Sequence, residues 1–143
     1  MVTVKEKTNY KLDEQVGYLL RLASQRHAVI FQNHISQGLT PTQFSTLIRV
    51  AEEGEVSQNQ LGRLAAMDIA TIKGVVDRLK AKDLLQTASD PDDKRRSIIS
   101  LTDSGAELMQ QLREDGKAIT KETLAPLTAS ERKTLLALLK KLS

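Results

Sequence analysis

The sequence predicts a mainly α-helical chain broken once, near its middle, by a β-hairpin, in the order α-α-α-α-β-β-α-α. Three observations carry that expectation. Apolar residues recur at helical spacing over most of the 143 residues. Three Ser/Thr-x-x-Glu/Gln capping boxes mark helix starts. One β-branched run, SIISL, follows an Asp-Pro-Asp turn signal.

Residues 12–36 form the first helical pattern. Leu12, Val16, Leu19, Leu20, Ala23, His27, Ile30 and His34 share one face at about 100° per residue, and the pattern stops near Gly38. Thr40-Pro41-Thr42-Gln43 then opens a second helix, with Thr40 as cap, Pro41 in the first position and Gln43 completing the box. Phe44, Leu47, Ile48 and Ala51 give it an apolar stripe, and Gly54 ends it.

Ser57-x-x-Gln60 starts a short third helix carrying Leu61, Leu64 and Ala65. After a brief turn, Asp68 is placed to cap a fourth helix that ends near Asp83. Residues 84–89 and 97–101 read as the two strands, joined by a charged loop, DPDDKRR. Thr102 starts a fifth helix with Leu108, Met109, Leu112 and Ile119. Thr128-x-x-Glu131 starts the last, with Leu135, Leu138, Leu139 and Leu142.

Composition narrows the function. Hydrophobic residues make up 40% and charged residues 27%, which is globular usage. With four aromatic side chains (Tyr10, Tyr18, Phe31, Phe44), the core must be aliphatic. No cysteine occurs, so disulfides, thiolate metal sites and cysteine nucleophiles are all excluded. Apolar runs such as residues 135–139 fall far short of the roughly 20 residues that span a bilayer. The opening MVTVKEKTNYKLDE has no apolar segment of the kind a signal peptide needs, so a reducing cytoplasm is the expected location and no membrane partner is expected. Net charge is +3, and by thirds of the chain the excess of bases over acids never exceeds two. Bulk charge therefore does not establish a nucleic-acid partner, and placement has to carry that argument.

The third and fourth helices, joined by about three residues, match a helix-turn-helix followed by a hairpin wing. The fourth helix has Ile72, Val75, Val76 and Leu79 on one face. Ala70, Gly74, Asp77 and Ala81 lie opposite, flanked by Lys73, Arg78 and Lys80. Gly74 inside a helix costs roughly 1 kcal/mol relative to Ala. A stripe of small residues edged by cations suits a helix that enters a major groove, because the backbone approaches closely while the cations reach phosphates. The same lysines also fit an ordinary solvated face. Asp92, Asp93, Lys94, Arg95 and Arg96 at the hairpin tip favour DNA, since an arginine on a wing can enter a minor groove. Asp93 can hold Arg95 by a charge-assisted hydrogen bond. A solvated turn of cancelling charges is the alternative.

These residues resemble the MarR family of bacterial transcription regulators over nearly the whole chain. The likeness is densest over LTPTQFSTLIRV, NQLGRLAAMDIATIKGVVDRLKAKDLL and SDPDDKRRSIISLTDSG, including Asp77-Arg78-Leu79, the DPxDxRR wing and Leu101-Thr102-x-x-Gly105. The resemblance implies an α/β winged helix-turn-helix with long N- and C-terminal dimerisation helices. It implies a DNA-binding domain over 39–102, flanked by dimerisation segments at 1–38 and 103–143. It also implies a homodimer on a pseudo-palindromic DNA operator. By position, Ala70, Thr71 and Lys73 become groove-facing residues, and Ser57 and Arg78 phosphate contacts. Arg95, supported by Asp93 and flanked by Lys94 and Arg96, becomes the minor-groove arginine. Two departures stand out. Asp83 replaces a frequent Gly after the fourth helix, in a left-handed position that Asp tolerates. Gln86 and Thr87 stand where an Arg is frequent in the first wing strand.

Most members repress and are released by a small ligand. The first helix, LDEQVGYLLRLASQRHAVIF, is similar to that of relatives controlling catabolism of aromatic acids. His27, with Tyr18, Arg21 or Arg26 nearby, is a candidate for an anion-accepting effector site; Arg26 flanks the apolar face and is better placed than Arg21. His27 and His34 also fit core histidines with a backbone partner. The unpartnered apolar faces at the two ends of the chain favour pairing across a two-fold axis, with closure of a monomeric bundle as the alternative.

An enzyme is not expected. HExxH, a Gly-rich phosphate loop and G-x-S-x-G are all lacking, and the two histidines lie seven apart on one helix with no acid between. No metal or cofactor is expected. A winged helix that docks protein keeps the fold but loses the cationic edges, which Lys73, Arg78, Lys94, Arg95 and Arg96 retain. A regulator that activates, or that senses no small molecule, fits the same sequence.

Overall fold

The computed structural model describes residues 2–143. Its elements are α1 (Val16–His34), α2 (Pro41–Glu53), β1 (Glu55–Ser57), α3 (Gln58–Leu64), α4 (Ile69–Ala81), β2 (Leu85–Ser89), β3 (Ser97–Leu101), α5 (Asp103–Thr123) and α6 (Ala129–Lys141). The helical order matches the sequence reading, with three differences, one of them a 3-10 turn at Ser36–Gly38 that the extended backbone of Ile35 separates from the end of α1. A 3-10 turn at Leu12–Glu14 precedes α1, because the extended backbone of Gln15 interrupts the helical run. A third strand, β1, pairs antiparallel with β3 beside the expected hairpin, giving the order β1-β3-β2. In this register Val56 faces Ile99, and Thr87 faces Ile99 from the other side.

Helix starts follow their capping chemistry. The Thr40 and Thr128 hydroxyls accept the backbone N–H groups of Gln43 and Glu131, whose side chains return to the cap N–H groups. Ser57 accepts the N–H of Gln60, so α3 has the forward bond of its expected box. Each such cap contributes about 1 kcal/mol. Hydrogen bonds from Thr128 hold the Glu131 carboxyl below its ordinary value.

The chain divides into two compact units. One is His34–Ala118; the other joins residues up to Asn33 with Ile119–Ser143. In the first unit Leu47, Leu61, Ile72, Leu79, Ile99 and Leu112 are fully buried, an aliphatic core as the composition requires. Each such side chain contributes about 1.5–3 kcal/mol. Thr46 is also fully buried, and its hydroxyl lacks a hydrogen-bond partner.

Two further details shape this unit. Gly105, at the start of α5, packs flush on the Leu84 carbonyl, which leaves no room for a Cβ. The buried Asp115 carboxylate accepts the backbone N–H of Ser36 at 2.9 Å and the Gln111 amide at 2.8 Å. Burial acts to raise its pKa; the hydrogen bonds from Ser36 and Gln111, with the charge of His34, outweigh it and leave the pKa lowered.

In the second unit, Arg132 closes the turn between α5 and α6 by donating to the Leu124 and Leu127 carbonyls. Val16, Leu19, Leu20, Leu136, Leu138, Leu139 and Leu142 remain exposed on α1, α6 and the residue that follows α6. Among the described residues, no helix is long and apolar enough to cross a membrane.

Candidate nucleic-acid interface

Helix α4 is fixed from both ends. At its start the Asp68 carboxylate accepts the N–H of Thr71 at 2.7 Å, and this bond holds the carboxyl below its ordinary pKa. At its end Asp83 takes a left-handed backbone, φ 59°, and the Leu84 N–H returns to the Leu79 carbonyl. This Schellman closure usually employs glycine; aspartate fills it here, as the sequence allowed. Ile72, Val75, Val76 and Leu79 are buried, so the helix cannot rotate without exposing its apolar face.

The opposite face is open. Ala70, Thr71, Lys73, Asp77 and Arg78 are exposed. Lys73 reaches Asp77 one turn on, with Nζ and Oδ2 3.0 Å apart, a pair whose side chains are both more than half exposed. A surface pair of this kind holds its geometry by less than about 1 kcal/mol, so Lys73 exchanges readily to another anion. A Cβ built at Gly74 meets only the Arg78 guanidinium, at 3.4 Å. Lys80 turns toward the wing and donates to the Thr87 hydroxyl at 3.0 Å. Gln86 bonds Ser100 and the Leu101 carbonyl. The two residues that replace the family's arginine thus serve contacts within the protein.

The wing tip is an ordered turn. The Asp90 side chain accepts the Asp92 N–H. Asp93 Oδ1 accepts both the backbone N–H of Arg95, at 3.1 Å, and its Nε, at 3.2 Å. The bonds from Arg95 hold the Asp93 carboxyl low. The pair anticipated from sequence forms, and it leaves the Arg95 side chain 91% exposed. Lys94 and Arg96 are exposed beside it. Ser57 is buried at the start of α3, its hydroxyl engaged in the cap. It lines a polar cleft of about 140 Å³ with Gln58, Asn59, Arg95, Arg96 and Ser97. Gln58 and Asn59 were not singled out from sequence, although they directly follow the Ser57 cap.

The candidate effector residues lie in the other unit. Arg26 donates to the Thr123 and Glu122 carbonyls at 2.8 and 3.0 Å, closing the C-terminal end of α5. Its guanidinium therefore has a structural task that sequence reasoning did not foresee, with partners 96 and 97 residues away. His27 Nδ1 lies 2.9 Å from the Thr123 hydroxyl. His27 and Thr123 line a largely apolar cavity of about 420 Å³ with Leu20, Leu124, Leu135 and Leu139. Tyr18 stands apart from that lining, its ring under the Arg21 guanidinium at 5.4 Å.

A capped helix-turn-helix with a small-residue outer face, followed by an arginine-tipped wing, defines a winged-helix transcription regulator. A MarR family model matches residues 37–96. The transcriptional repressor NicR of Pseudomonas putida is 43% identical over 138 residues, covering 96% of this chain and 87% of NicR. A probable transcriptional regulator of Pseudomonas aeruginosa superposes with a TM-score of 0.89 at 49% identity, covering 93% of this chain and all of that one. Bordetella bronchiseptica BpsR, whose DNA binding is regulated by 6-hydroxynicotinic acid, superposes at 0.88 with 38% identity, covering 94% and 97%. The chain belongs to the MarR family of transcription regulators.

Proposed function

We propose that the protein is a repressor that binds a pseudo-palindromic operator as a homodimer and leaves it when an aromatic acid binds. The observation that carries this reading is the exposed, cation-bordered face of α4 beside the arginine-tipped wing. Ala70, Thr71 and Lys73 face the major groove, and Ser57 and Arg78 approach phosphates. Arg95, braced by Asp93 between Lys94 and Arg96, enters the minor groove. Residues 39–102 serve as the DNA-binding domain, with 1–38 and 103–143 as dimerisation segments. The exposed Leu19, Leu20, Leu138 and Leu142 support that assignment, because a second copy covers them.

NicR is a repressor and BpsR responds to 6-hydroxynicotinic acid, so a hydroxylated aromatic or heteroaromatic acid is the effector class. In the cavity beside α5 the apolar leucines suit a ring. His27, whose Nδ1 is turned to Thr123, offers Nε2 to a carboxylate. Neither Tyr18 nor Arg26 lines this cavity; Arg26 lends it charge from the end of α5 while its hydrogen bonds go to carbonyls, and Tyr18 stays paired with Arg21. Release requires that the acid bind the DNA-free conformation more tightly than the DNA-bound one.

Selection of bound DNA from random duplexes tests the first half. A two-fold symmetric consensus is expected, with half-sites about 10 bp apart; no enriched sequence refutes it. Titration of that duplex complex with 6-hydroxynicotinic, benzoic and phenolic acids tests the second half. Operator affinity is expected to fall with at least one, and indifference to all of them refutes the effector class.

A further inference from the structure

In the unit formed by His34–Ala118, one large apolar side chain among the described residues stays exposed: Ile69, at 67%. Every other exposed large apolar residue belongs to the unit containing the α1 and α6 faces that a second copy covers. Ile69 is the first residue of α4. Helical side chains lean toward the N-terminus, so this one projects past the start of the helix. It borders a shallow cleft, mostly apolar, with Gly62, Met67 and Ile72, and with Arg63 and Asp68 as its charged lining.

The charge beside it decides what can occupy that end of the helix. A free helix N-terminus attracts a phosphate. Here the Asp68 carboxylate, negative at neutral pH like any aspartate, already takes the Thr71 N–H. The Asp68 charge therefore disfavours a phosphate at the first turn of α4; the neighbouring cations are Arg63, across the same cleft, and Lys73 and Arg78 further along the helix. What remains accessible to Ile69 within a major groove is a base edge. The apolar feature of that edge is the thymine C5-methyl.

We infer that Ile69 is a specificity-determining residue that packs on a thymine methyl in each half-site. The inference rests on α4 being the DNA-reading helix. Its test separates the two ideas. The selected duplex is rebuilt with deoxyuridine replacing one thymine pair at a time, which deletes only the methyl. Wild-type protein is expected to lose about fourfold in affinity per half-site at one symmetric position, the worth of one buried methyl-sized group. Ile69→Ala is expected to bind the thymine duplex more weakly and to show no further loss with deoxyuridine there. Ile69→Leu is expected to retain part of the methyl preference. Thermal melts verify that both variants fold. A wild-type protein indifferent to every deoxyuridine, or an Ile69→Ala variant that keeps the full methyl preference, overturns the inference while leaving the DNA-reading helix standing. Failure to select any duplex overturns the DNA-reading helix itself, and the inference with it.

Discussion

Replacing Gly74 with alanine should make the free protein more stable and the DNA complex weaker. Glycine inside a helix costs roughly 1 kcal/mol relative to alanine, mostly through the freedom of the unfolded chain. That gain is available only where the added methyl finds room. A Cβ at Gly74 meets one atom, the terminal Arg78 nitrogen, at 3.4 Å, and that flexible side chain can move aside. The melting temperature should therefore rise by about 3 °C for a chain of this size. The same methyl stands on the outward face of α4, between Ala70 and Asp77. Pressed against a groove it acts as overpacking, which costs about 1–3 kcal/mol, so the dissociation constant should rise at least about fivefold. Calorimetry on the free protein and fluorescence anisotropy on the selected duplex measure the two effects. A fall in melting temperature would show that the fold itself needs the glycine. A rise with unchanged affinity would show that this face of α4 does not approach DNA, and would refute the reasoning.

Three other perturbations have a definite sign. Gly105→Ala should destabilise by about 2–3 kcal/mol despite its helical setting, because its Cβ runs into the backbone carbonyl of Leu84, which cannot step aside as a side-chain tip can; urea midpoints measure it. Thr46→Val should raise stability by about 1 kcal/mol, because it removes a buried hydroxyl that has no partner; the same titration reads it. Asp115 has a folded-state pKa below its unfolded value, so its contribution is complete above about pH 5 and is lost as pH falls through the folded value. Asp115→Asn should lower stability at pH 7 and flatten the acid limb of a stability-against-pH curve below about pH 5; a parallel acid limb in the variant would contradict this.

The helices and their starts were legible because their causes are local. Thr40 and Gln43, or Asp68 and Thr71, lie three residues apart and make the bond that the spacing announces. Strand β1 was not legible: three residues after Gly54 are too few to show alternation, and its partner β3 lies more than 40 residues on. The role of Arg26 was hidden for the same reason. Asp115 left a readable trace, as an acid in line with the apolar stripe of Leu108, Leu112 and Ile119. Its donor, the Ser36 backbone, gives no signal in sequence. Ile69 lies in line with Ile72 and Val76, so periodicity alone assigns it to the buried face of α4; its place as the first residue of the helix is what leaves it in solvent. At the wing, Asp93 and Arg95 lie two residues apart, so their pairing was readable.

Ala66 ends α3 in a left-handed conformation, φ 56°, with the Met67 N–H returned to the Gly62 carbonyl. Glycine would occupy that elbow with no steric cost, and alanine there costs roughly 1–2 kcal/mol. The methyl narrows the conformations open to the joint, so the following helix is delivered at one set angle rather than sampled over a range. Less disorder then has to be frozen out at the moment of docking. The substitution Ala66→Gly would exchange that stiffness for comfort: a happier turn, carrying a helix whose aim wanders.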